Sequence, residues 1–160
     1  MRTAIDMSWR RGCMATDYES PRLSVIVADG SSTYLDTVCK ALEFHDMVDL
    51  VGRTANFEET IQLVVTLRPD LVLMDIEMPS AMLAIAAIIT TVADTHIVGM
   101  FTGCIPLDAA GLVPAVNAFI DKARLRNEFL PLLQAMHRYR GASSPPGRRP
   151  NNQRLSLVAR

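Results

Sequence analysis

Four residues of this sequence combine into a recognisable chemistry: Asp29, Asp75, Thr102 and Lys122. Each stands at or just past the end of a short apolar run: "LSVIVAD", "DLVLMD", "THIVGMF" and "NAFIDK". Two carboxylates, a hydroxyl and an ammonium gathered at one place suit phosphoryl transfer. A pair of acids can hold Mg²⁺, which takes oxygen ligands octahedrally and commonly uses one or two carboxylates with waters and phosphate. Metal and Lys122 together would neutralise a phosphoryl group while an aspartate attacks it to form an aspartyl phosphate. Thr102 could then donate a hydrogen bond to a phosphoryl oxygen.

The elements that must position these groups follow from hydrophobic period. Residues 23–29, 47–53, 70–75, 95–101 and 117–122 read as five buried strands. Between them lie helix-period stretches. "STYLDTVCKALEF" puts Tyr34, Leu35, Val38 and Leu42 on one face, and "NFEETIQLVVTLRP" has Asn56 as cap and Glu58 and Glu59 in its first turn. Pro69 ends that helix. "SAMLAIAAIITTVAD" is a third, with Ser80 as its expected cap, and "RNEFLPLLQAMHRYR" closes the domain, with Pro131 expected near the first turn. Strands alternating with helices imply a parallel sheet covered on both faces. Such strands read as near-continuous apolar runs, and in such sheets the ligand site lies beyond the carboxyl ends of the strands. All four chemical residues fall at that rim.

Composition limits the alternatives. At 160 residues the chain has the length of about one domain. Its net charge of -1 argues against binding DNA through overall charge. No apolar run reaches the ~20 residues of a membrane span, and the first 20 residues lack a signal-peptide core. A cytoplasmic location is expected. Cys13, Cys39 and Cys104, like His45, His96 and His137, are too scattered to suggest a metal cluster or a disulfide. Residues 1–20 read as a flexible extension, 21–140 as the folded domain, and 141–160 as a disordered basic tail rich in Pro, Gly, Ser and Arg.

Over residues 22–140 the chain resembles the receiver domain of bacterial two-component response regulators. "VIVADG", "LRPDLVLMDIEMP", "MFTG" and "AFIDKA" match its successive motifs in order. The resemblance implies a flavodoxin-like, doubly wound three-layer sandwich with a five-stranded parallel sheet in the order 2-1-3-4-5. It implies that Asp75 is the phosphoacceptor and that Asp29, Asp75 and Glu77 (backbone carbonyl or side chain) hold a weakly bound Mg²⁺. Thr102 corresponds to the switch hydroxyl, Phe119 to the switch aromatic and Lys122 to the family's lysine. The implied partners are a histidine kinase or phosphotransfer protein in a phosphorelay and a downstream protein target, with no DNA or membrane partner. The implied protein is a phosphoacceptor rather than an enzyme, acting as a stand-alone receiver.

This sequence also departs from the pattern. The second carboxylate of the acidic pair is Gly30, in "ADGSS". The loop after the acceptor reads "MPSAML" and is shortened, and Lys122 is followed by Ala123 rather than proline. The stretch expected to form the fourth helix, "PLDAAGLVPAV", contains Gly111 and Pro114 and should be short or irregular. These departures leave a second expectation open, a pseudo-receiver that serves as a phosphorylation-independent interaction module.

Overall fold

The computed structural model describes residues 22–104 and 115–142. Strands β1 (Leu23–Ala28), β2 (Val48–Thr54), β3 (Leu71–Asp75), β4 (His96–Phe101) and β5 (Ala118–Asp121) form one sheet. Their order is β2-β1-β3-β4-β5 and every neighbouring pair is parallel. Among the described residues the helices are α1 (Ser32–Glu43), α2 (Phe57–Leu67), α3 (Ala81–Thr91) and α4 (Leu125–Ala142), the last entered through a 3-10 turn at Lys122–Arg124. This is the expected flavodoxin-like sandwich.

Successive strand side chains point to opposite faces, so each buried strand feeds two cores. Leu23, Val25 and Val27 join Leu71, Leu73, Val98, Met100 and Ile120 in a cluster closed by α1 and α4. Ile26 and Ala28 join Val72, Met74 and Ile97 in a second cluster closed by α2 and α3. Every residue of β3 is buried, as its uninterrupted apolar run requires. The same alternation sets up the functional rim. Asp29, Asp75, Thr102 and Lys122 continue the parity of the first cluster, whereas Phe119 belongs to the second.

The helix ends show where local preference held and where it was overridden. Asn56 caps α2 by accepting a hydrogen bond from the Glu59 amide at 2.8 Å, with Glu58 and Glu59 in the first turn. Arg68 closes that helix in the left-handed region (φ 47°), immediately before Pro69. Ser80 does occupy the position before α3, but it is not a side-chain cap. Its backbone is left-handed (φ 64°) and its hydroxyl makes no capping bond. A capping side chain ordinarily goes with an extended backbone, which Ser80 does not have.

Pro131 also departs from expectation, lying in the second turn of α4 rather than the first. The 3-10 turn runs directly into the helix at Leu125, which starts it early. Proline has no amide hydrogen, so the carbonyl of Asn127 loses its helical donor. Pro131 is exposed, and Phe129, Leu132, Leu133 and Met136 hold the opposite side of the helix in the core. The predicted N-terminal extension, residues 105–114 with Gly111 and Pro114, and residues 143–160 lie outside the described residues, whereas Gly141 and Ala142, expected to begin the disordered tail, are the last residues of α4.

Candidate functional site

β1 and β3 lie side by side, and a buried aspartate stands at the carboxyl end of each. Asp29 follows β1, and its amide donates to the Thr54 carbonyl at the end of β2 (3.1 Å). Its Oδ1 accepts the Ser31 amide at 2.8 Å, which folds the chain toward α1. Ser31, not Asp29, caps that helix, its hydroxyl accepting from the Tyr34 amide at 3.4 Å. Asp75 is the last residue of β3, and its Oδ1 accepts the Glu77 amide at 2.9 Å. In both carboxylates a local turn occupies Oδ1 and leaves Oδ2 facing inward.

The two Oδ2 atoms converge on one cation. The Lys122 Nζ lies 2.9 Å from Asp29 Oδ2 and 3.0 Å from Asp75 Oδ2. β5 brings Lys122 there by ending at Asp121, whose Oδ1 accepts the Ala123 amide at 2.9 Å and so starts the following turn. Burial alone would lower the ammonium's pKa. The close carboxylates of Asp29 and Asp75 outweigh it and hold Lys122 above its usual value.

Thr102 follows the last residue of β4, next to the end of β3 in the sheet, and is exposed. Gly103 beside it adopts φ 77°, which suits glycine, as the chain turns away. Phe119 is half-buried on the opposite face of the sheet and pairs in register with Gly99. A Cβ at Gly99 would stand 2.9 Å from Ile76 Cγ2 and from Phe119 Cδ1 and Cε1. The residue after Asp75 and the ring of Phe119 therefore both border a glycine. The structure thus gathers Asp29, Asp75 and Lys122 directly, sets Thr102 at the same rim, and places Phe119 on the opposite face in the cluster that includes Ile76.

No family model matches the sequence. Among curated proteins, the chain is 33% identical over 123 residues to a protein-glutamate methylesterase/protein-glutamine glutaminase of Photobacterium profundum. That match covers 70% of this chain and 31% of the relative. The receiver domain of the response regulator NarL from Mycobacterium tuberculosis superposes with a TM-score of 0.65 at 21% identity, covering 74% of this chain and 98% of that one. The response regulator domain of Thermotoga maritima CheB gives 0.62 at 20% identity, covering 73% and 97%.

The chain has the fold of response-regulator receiver domains.

The chain spans about a third of the length of that curated relative. Phosphorylation and Mg²⁺ binding are typical of the family. The donor set fits such a cation in a reduced form. Among the described residues no three Asp, Glu, His or Cys side chains converge as a metal cluster, so the site offers two carboxylates. Asp29 Oδ2 is wholly buried and has the Lys122 ion contact but no aligned hydrogen bond. Glu77 is exposed, and its amide is committed to Asp75. A hard dication that keeps most of its waters suits this arrangement.

Gly30 is exposed and its φ is not in the left-handed region. The nearest atom to a Cβ there is Met78 Cγ at 3.7 Å, so nothing in the backbone demands glycine. Tyr34 was not singled out as a site residue in the sequence, because its spacing matches the core face of α1. Its ring lies under the Lys122 ammonium, 5.0 Å from centroid to Nζ.

Proposed function

We propose that the receiver accepts a phosphoryl group on Asp75 from a histidine kinase or phosphotransfer protein. It then signals through contacts with a downstream protein, in the cytoplasm. The observation that carries this reading is the simultaneous pairing of Lys122 with Asp29 and Asp75, at 2.9 and 3.0 Å, beyond the carboxyl ends of a parallel sheet.

The groups divide the work. The Glu77 amide fixes Asp75 through Oδ1 and leaves Oδ2 as the nucleophile. That oxygen attacks phosphorus and forms the new P–O bond, while the bond to the donor breaks and its electron pair leaves with the donor group. Asp29, Asp75 and the Glu77 carbonyl would hold Mg²⁺, which supplies charge neutralisation at the phosphoryl oxygens. Lys122, already charged and aimed at the attacking oxygen, moves its contact to the transferred group. The Thr102 hydroxyl donates to a phosphoryl oxygen, and Phe119, which borders Gly99 as Ile76 does, responds on the opposite face of the sheet.

One observation favours a second reading. The place of the second carboxylate is Gly30, and Lys122 already balances much of the charge of the two acids that remain. A phosphorylation-independent interaction module would have such a site. Incubation with acetyl phosphate across a Mg²⁺ series, followed by intact mass, separates the two. A phosphoryl adduct that depends on Mg²⁺ is expected; its absence at every Mg²⁺ level would leave only the second reading.

A further inference from the structure

Tyr34 grips Lys122 at two points. The ring face lies 5.0 Å from Nζ, a distance at which the ring quadrupole attracts a cation. The hydroxyl donates to the backbone carbonyl of the same residue at 3.4 Å. The tyrosine itself is anchored, because its amide is bonded to the Ser31 cap of α1 and its side chain packs against the core under that helix. The elements facing it bring the carboxylates of Asp29, Asp75 and Asp121 and the Lys122 ammonium.

We propose that Tyr34 is a positioning residue for phosphoryl transfer, holding the Lys122 ammonium between Asp29 and Asp75. This rests on the reading of Asp75 as phosphoacceptor. A lysine stem is flexible, and its ammonium is a compact point charge that can leave for water. The carboxylates attract it but do not define its path once one of them carries a phosphoryl group. A ring below and an anchored carbonyl behind keep the ammonium over the site while its contact passes from Asp75 Oδ2 to the incoming oxygens. The phenol is suited to this place because it stays neutral. Burial first, then the nearby carboxylates, push its pKa up to about 12, so it adds no negative charge beside two acids.

Lys40 and Lys122 are the only lysines of the chain, so lysine-selective ¹⁵N labelling reports on Lys122 with little overlap. The ammonium signal of Lys122 should be protected from exchange in wild type and in Tyr34→Phe, which keeps the ring. It should be lost in Tyr34→Leu while the amide spectrum stays that of a folded protein. Phosphorylation by acetyl phosphate should slow by roughly two- to fivefold in Tyr34→Leu, the scale of one cation–π contact, and recover in Tyr34→Phe. A protected Lys122 ammonium in folded Tyr34→Leu overturns the proposal. So does an equal loss of rate in both variants. If wild type takes no phosphoryl group, the reading of Asp75 fails, and the ammonium signal still decides whether Tyr34 holds Lys122.

Discussion

Lys122 and Asp29 form an ion pair of 2.9 Å in which the carboxylate side chain is wholly out of solvent and the lysine side chain is 13% exposed. Asp75, from the neighbouring strand, is the second acid on the same nitrogen, at 3.0 Å. Desolvating two carboxylates is costly, and one cation shared between them offsets much of it. Lys122→Met should therefore destabilise the domain by about 3–5 kcal/mol, the usual range for breaking a buried pair. Added Mg²⁺ should recover part of that loss. Urea unfolding with and without Mg²⁺ measures both; a loss below ~1 kcal/mol would show that the acids do not depend on the ammonium.

Gly30 marks the place of the missing carboxylate, and the backbone there accepts a side chain, with Met78 Cγ at 3.7 Å as the nearest atom. Gly30→Asp should fold normally and tighten Mg²⁺ binding by roughly tenfold, since affinity follows ligand charge count. Calorimetric titration gives the comparison. Unchanged affinity would place the metal away from Asp29.

Gly99 leaves the space that Ile76 and Phe119 both border. Gly99→Ala brings a methyl to 2.9 Å from both and should destabilise by about 1–3 kcal/mol as the ring is displaced. Thermal unfolding measures the cost, and aromatic NMR reports the new environment of Phe119. A neutral substitution with an unshifted Phe119 would mean the two side chains are not coupled.

High pH should weaken the fold through two groups at once. Tyr34 and Lys122 both hold their protons more tightly in the folded state than in the unfolded chain. The folded state thus binds more protons above the unfolded values of about 10 for tyrosine and 10.4 for lysine, and stability falls as pH rises. The contribution is complete below pH ~10 and fades toward about 12 as Tyr34 ionises. Tyrosinate absorbance should show a late phase that Tyr34→Phe removes, with a shallower loss of stability. A chain in which every tyrosine titrates near 10 would contradict this.

The sheet was legible because strands buried on both faces are apolar throughout, and β3 is buried from Leu71 to Asp75. Asp29, Asp75 and Lys122 were legible for the same reason, since a charged residue closing such a run must sit at the rim. Tyr34 was not, because its spacing on α1 is that of a core residue and its partner lies 88 positions away. Nor was the role of Gly99, which exists only once β5 is in register with β4. Ser80 stands at the expected position without capping through its side chain, and Pro131 lies one turn later than expected, because capping and proline rules are local whereas the backbone at Ser80 and the early start of α4 belong to the surrounding fold.

The central claim is that Asp75 Oδ2 is the nucleophile beside Lys122. Its most direct test is to treat wild type and Asp75→Asn with acetyl phosphate and Mg²⁺, trap any acyl phosphate with borohydride, and map the site by tandem mass spectrometry. The account predicts one modified residue in wild type, Asp75, and none in the variant. A modified Asp75→Asn chain, or a wild type that stays unmodified, would contradict it.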